Sequence, residues 1–177
     1  FGAPVRMTRS DHVSGTDRVA EVASAHPAEV VVNIQGDEPL IDPAAIDAAV
    51  LTLLGDTKIP MGTLKRRIDN PDEIENPNVV KVVTDFQGNA IYFSRATIPY
   101  YRGREESRYK HIGLYVYRQE FLLSYSQLPI GPLERAEKLE QLRAIENGYR
   151  IRVAETDYES IGVDTPEDFE RVSRLFE

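Results

Sequence analysis

Residues 29–43 read EVVVNIQGDEPLIDP. The first six form a continuous run dominated by β-branched side chains, the pattern of a strand buried on both faces. An acidic, glycine-bearing turn follows at residues 35–39. Asp42 then stands where a helix N-cap belongs, and Pro43 occupies the first helical position, where its missing N–H costs nothing. Ile46, Ala49, Val50, Leu53 and Leu54 recur at spacings of three and four, which predicts an apolar helical stripe. Strand, polar turn and helix in this order make a β–α unit. In open α/β sheets ligands settle beyond the carboxyl ends of strands, so residues 35–39 are the first place to look for a site.

The same alternation extends in both directions. Residues 16–25 predict a helix with Val19, Val22 and Ala23 on one face, stopped at Pro27. Strands are predicted at residues 61–68, 79–84 and 90–94, the last two joined by a Gly88-Asn89 turn, and again at 111–118 and 150–154. Residues 132–147 predict one long helix, with Leu133, Ala136, Leu139, Leu142 and Ile145 inward and Gly148 as its left-handed stop. Thr165-Pro-Glu-Asp opens a last helix in a capping-box arrangement, with Phe169, Val172 and Phe176 as its stripe. The expected fold is therefore α/β: a mixed sheet with helices on both faces, interrupted by an antiparallel or mixed insertion. Residues 1–177 read as a single domain without internal repeats.

Composition narrows the function classes. The chain has 177 residues, a formal charge of −8 and no cysteine. That excludes disulfides, thiolate catalysis and thiolate metal sites together. The acidic balance argues against a nucleic-acid-coating surface, which needs an excess of Lys and Arg. Apolar runs of four or five residues are far short of a membrane span. A soluble, intracellular protein is expected.

Several residues could carry chemistry. Asp37, in the turn after residues 29–34, offers the hard oxygen that Mg²⁺ takes together with substrate phosphates; otherwise it is one of the many acids that end strands in solvent. Asp164 precedes the Thr165 cap, and helix initiation explains it equally well. Both sit at strand-to-helix junctions, and two such carboxylates on one cation would suit phosphoryl transfer. Ser14, Gly15 and Thr16 open a helix, either as caps or as donors to a base or phosphate. Arg95 directly follows residues 90–94, and a positioned guanidinium grips carboxylate or phosphate bidentately. His111 and Tyr115 lie four apart in a strand and share a face. Glu140 and Gln141 stand between core leucines, as helix-flank residues or as ligands of hydroxyl groups.

Six segments together, MTRSDHVSGTDR, VVNIQGDEPLI, IYFSRATIPY, YKHIGLYVYR, LERAEKLEQLRAIENGYRI and GVDTPEDFERV, resemble the 3-deoxy-manno-octulosonate cytidylyltransferases, also called CMP-KDO synthetases. The likeness runs from Met7 to the C-terminus in the family's order. It implies a nucleotide-diphospho-sugar-transferase-like fold with a sugar-binding and dimerisation subregion at about residues 90–130. It implies transfer of CMP from CTP to 3-deoxy-D-manno-octulosonate (KDO) with release of pyrophosphate, for lipopolysaccharide synthesis, by a cytoplasmic, Mg²⁺-dependent homodimer. Carried residue by residue, it makes Asp37 and Asp164 the metal-binding pair. It sets Gln35 with Ser14, Gly15 and Thr16 around the cytidine, and Arg95, His111, Tyr115, Glu140 and Gln141 around the sugar.

One departure is plain. Family members begin with a strand and a loop of the form AxxPARxxSxRxPGKxL, and nothing here matches it. The expectation is a chain lacking the first βα unit, the larger C-terminal portion of the enzyme and inactive alone. The competing readings are a cytidylyltransferase for amino-substituted KDO or sialic acid, a metal-dependent glycosyltransferase, and a non-catalytic binding or dimerisation module.

Overall fold

The computed structural model describes residues 2–104, 106–159, 162–163 and 165–175. Helix α1 (Gly15–Ser24) begins at a capping box: Asp17 N donates to Ser14 Oγ, and Ser14 N donates to the Asp17 carboxylate. Strand β1 (Val30–Asn33) leads through the 35–39 turn into α2 (Pro43–Leu54), where Ala44 N donates to Asp42 Oδ1 over 2.8 Å. Strand β2 (Met61–Arg67), the one-turn α3 (Asp72–Glu75), β3 (Lys81–Thr84) and β4 (Ala90–Ser94) follow. Next come β5 (Tyr109–Arg118), α4 (Gln119–Tyr125), α5 (Pro132–Glu137), α6 (Leu142–Glu146), β6 (Ile151–Glu155) and α7 (Pro166–Ser173).

Among the described residues six strands form one mixed sheet in the order β4-β3-β5-β2-β6, with β1 pairing β5. Its β2–β6 pair is parallel, and the others are antiparallel. Strand β5 is the spine. It pairs β2 along one side, while β3 meets its start and β1 its end on the other. Asn89 bridges Arg152, and Val153 N donates to Gly88 O, so the β3–β4 hairpin curls onto β6.

Alternation along β5 divides the core into two. Ile112, Leu114 and Val116 pack with Ala45, Ala49 and Leu53 of α2. Tyr115 and Tyr117 turn to the opposite face, where α1, α4 and α6 contribute Ala23, Phe121, Leu122 and Ala144. Burying a residue such as Leu53, which is 0% exposed, contributes about 1.5–3 kcal/mol. The candidate functional groups lie on the second face.

Four expectations are corrected. The helix predicted over 132–147 is two short helices, because Lys138 adopts a left-handed conformation at φ 56° and turns the chain. Leu133 and Ala136 are consequently exposed, while Leu139 and Leu142 remain inside. The α2 stripe is rotated toward Ala45, Ala49, Thr52 and Leu53, leaving Leu54 exposed. Strand β1 is not fully buried: Val31 packs toward one core and Val30 and Val32 toward the other, but all three are only half-buried and wall an open groove with α1. In α7, Val172 is buried but Phe169 is exposed, and Phe176 lies outside the described residues.

Candidate active site

The sheet face carrying Tyr115 and Tyr117 meets the start of α1 and the link between α5 and α6. A cavity of about 120 Å³ lies there, walled by Gly15, Thr16, Asn33, Gln35, Tyr115, Tyr117, Tyr125, Glu140 and Gln141. Six residues singled out from sequence meet in it: Gly15, Thr16, Gln35, Tyr115, Glu140 and Gln141. A wider groove of about 680 Å³ runs between α1 and β1, but its walls are largely valine and alanine and no acid converges on it. The smaller cavity is the one with chemistry.

The left-handed turn at Lys138 places Glu140 and Gln141 there, since it ends α5 and aims the next residues back at the sheet. Gln141 is 4% exposed. Tyr125 Oη donates to the Glu140 carbonyl over 2.6 Å, and Thr16 Oγ donates to Glu140 Oε2 over 3.2 Å. Glu140 Oε1 is buried with no hydrogen-bond partner among the described residues. Burial raises the carboxyl above its ordinary range, while the Ser14 and Thr16 hydroxyls and Arg143 pull the other way. Burial also raises the Tyr115, Tyr117 and Tyr125 phenols, so all three remain protonated donors. The cavity thus offers hydroxyl donors, a Gln amide and one orphaned carboxylate oxygen, a set suited to a polyhydroxylated ligand.

His111 stands one step farther along the same face, its ring 5.4 Å from Tyr115 and 4.9 Å from Phe93. Desolvation pushes its imidazole down to about 3, so it is neutral near pH 7. Ser14 caps α1 beside the cavity rather than lining it. Asp37 is exposed in the turn, two residues beyond Gln35, and its carbonyl accepts from Val163 N at 2.9 Å. Among the described residues no group bonds its carboxylate. Asp164, the other expected metal ligand, lies outside the described residues.

Arg95 is held away from the cavity. Its Nε donates to Glu137 O and its Nη1 to Pro77 O, at 2.9 and 3.0 Å. Its amide donates to the Glu137 carboxylate, which also accepts from Ser94 and Tyr92. Buried Lys81 fastens the same place, donating to the carbonyls of Asn76, Val79 and Arg95. Sequence reasoning missed Asn33, Tyr117 and Tyr125. Asn33 was legible as the polar residue ending an apolar run, and Tyr117 as the next residue on the His111–Tyr115 face. Tyr125 gave no local signal, because only the fold brings α4 to Glu140.

Residues 1–153 match the model of the family described as Cytidylyltransferase. The 3-deoxy-manno-octulosonate cytidylyltransferase of Solibacter usitatus (strain Ellin6076) is 72% identical over 99% of this chain, which covers 71% of that protein. Its counterpart in Syntrophotalea carbinolica (strain DSM 2380 / NBRC 103641 / GraBd1) is 58% identical, with 97% and 73% covered. A solved CMP:2-keto-3-deoxy-manno-octonic acid synthetase complexed with CTP superposes with a TM-score of 0.93 at 42% identity, covering 99% of this chain and 73% of its own. A glucose-1-phosphate thymidylyltransferase structure from Bacillus anthracis, at 14% identity and a TM-score of 0.58, shares the fold alone.

Proposed function

The chain belongs to the family of 3-deoxy-manno-octulosonate cytidylyltransferases, and on that premise we propose how its own residues serve the reaction. The enzyme transfers CMP from CTP to KDO and releases pyrophosphate, giving CMP-KDO. The anomeric hydroxyl oxygen of KDO bonds to the α-phosphorus in line, the bond to the β-phosphate bridging oxygen breaks, and the hydroxyl proton passes to solvent. No side-chain nucleophile is needed. Catalysis of this kind rests on positioning and on charge stabilisation.

Gln35, Gly15 and Thr16 hold the cytidine, with Ser14 fixing the start of α1 beneath them. Tyr115, Glu140 and Gln141 hold the sugar hydroxyls, and His111 orients the sugar from the adjacent position. The observation that carries this reading is Glu140 Oε1, a buried acceptor with no donor at hydrogen-bond distance among the described residues, beside three protonated phenols. Leaving such an atom unpaired costs about 1–3 kcal/mol, which a sugar hydroxyl would recover. Arg95 uses Nε and Nη1 on backbone carbonyls, so Nη2 is the nitrogen left for the sugar's carboxylate.

Asp37 and Asp164 hold Mg²⁺ in this proposal. The fit rests on the Asp37 carboxylate, a hard oxygen donor at a strand end with no bond among the described residues. Held by these two carboxylates, Mg²⁺ would supply charge neutralisation for the CTP triphosphate. We also place the enzyme in the cytoplasm as a homodimer, with residues 90–130 taking part in sugar binding and dimer contact; exposed Ile91 and Tyr100 support the latter. Among the described residues no helix is long and apolar enough to cross a membrane.

The test is pyrophosphate release from CTP. It should require both KDO and Mg²⁺, and Asp37→Asn should lower it at least about a hundredfold with Mg²⁺ limiting. A near wild-type rate for that variant would overturn the metal assignment. Equal rates with sialic acid would overturn the sugar.

A further inference from the structure

Thr63 lies in β2, is 0% exposed and contributes to no wall of the cavity. The pairing of β2 with β5 breaks beside it: Thr63 faces Tyr115, but Leu64 faces Ile112, so Gly113 and Leu114 bulge out of the ladder. The bulge brings three acceptor-capable atoms onto one hydroxyl. Thr63 Oγ lies 2.8 Å from Leu114 O, 3.1 Å from Ile112 O and 2.9 Å from His111 Nε2. A hydroxyl has one proton and two lone pairs, while a carbonyl oxygen only accepts. Two oxygens at 2.8 Å repel unless a proton lies between them, so the Thr63 proton goes to the carbonyls. Its lone pair then faces Nε2, which must carry the hydrogen.

We propose that Thr63 is a positioning residue that fixes His111 as its Nε2–H tautomer, leaving Nδ1 as an obligate hydrogen-bond acceptor toward the sugar acid. Among the described residues Nδ1 has no hydrogen-bond partner. The imidazole is neutral near pH 7, as an acceptor nitrogen requires. A sugar hydroxyl supplies the matching donor, whereas a carboxylate would be repelled. The bulge thus converts one buried hydroxyl into a choice of which substrate group His111 accepts. The assignment of Nδ1 to the sugar rests on the role proposed for His111 above, but the tautomer does not.

The test separates them. Long-range ¹H–¹⁵N spectra of histidine-labelled protein without substrate should show His111 as the Nε2–H tautomer between pH 6 and 8. Thr63→Val should mix the tautomers and weaken KDO binding about tenfold, and Thr63→Ser should restore both. An Nδ1–H tautomer in the wild type overturns the proposal, even if Thr63→Val fails to fold. An Nε2–H tautomer whose Nδ1 resonance ignores KDO upholds Thr63 but overturns the sugar contact.

Discussion

Removing Glu134 should destabilise the protein more than most single substitutions can. Its carboxylate accepts from Arg143 Nη2 at 2.6 Å and from Arg143 Nε at 2.9 Å. The side chains of Arg143 and Glu134 are only 7% and 11% exposed. The guanidinium also lies 5.1 Å from the Tyr125 ring centroid. The Glu134 bond raises the Arg143 guanidinium above its ordinary range, and an arginine keeps its charge even when that partner is lost. Glu134→Ala would leave that charge buried and unpaired, which costs about 3–5 kcal/mol. In a chain of this size each kcal/mol moves Tm by about 2–4 °C, giving a fall of roughly 6–20 °C. The double change Glu134→Leu with Arg143→Met should recover most of it, because a buried pair replaced by apolar groups is often neutral. The pair spans the Lys138 turn, so KDO affinity should fall with the single variant. Urea and thermal unfolding followed by circular dichroism give the numbers. A loss under about 1 kcal/mol for Glu134→Ala, or a double variant as unstable as the single one, would refute the reasoning.

His111 should make stability pH-dependent. Its folded value of about 3 lies below the ordinary 6.5, so the unfolded chain binds the proton; stability is complete above pH 6.5 and falls as pH drops toward 3. Between pH 7.5 and 5.5 the loss is about 1.4 kcal/mol, absent in His111→Gln, as urea titrations at both pH values would measure. Glu140, with the opposite sign, is common to both proteins and cancels in the difference. Gly62→Ala should cost about 1–3 kcal/mol, because a Cβ there would overlap Thr52 Oγ1 and approach Val116 Cγ2 to 2.8 Å. Thermal melts should show partial relief when Thr52→Ala is added.

Features set by neighbours in sequence were readable in advance. The box at Thr165–Asp168, the Asp42-Pro43 helix start and the alternation of β5 all depend on contacts within four residues. Features set by distant partners were not. The break at Lys138 is stabilised from outside its own helix, by Glu137 bonding β4 and by Glu134 bonding Arg143. Nothing local announces it, and a continuous apolar stripe argued for one helix. The site followed the same rule. Tyr115, Glu140 and Gln141 converge on one cavity, a grouping that the family resemblance implied and no local spacing did. That two of the Arg95 nitrogens are spent on carbonyls was not readable, because those partners, at Pro77 and Glu137, lie 18 and 42 residues away. Thr63 went unremarked because its importance comes from a register shift, which period-two reading assumes away.

The most direct measurement is a crystal structure with CTP, KDO and Mg²⁺ bound. The account predicts the sugar hydroxyls against Glu140 Oε1 and Gln141, the cytosine against Gln35 and Thr16, and a cation held by Asp37 and Asp164. A sugar seated instead in the groove between α1 and β1, or a cation that touches neither aspartate, would contradict it.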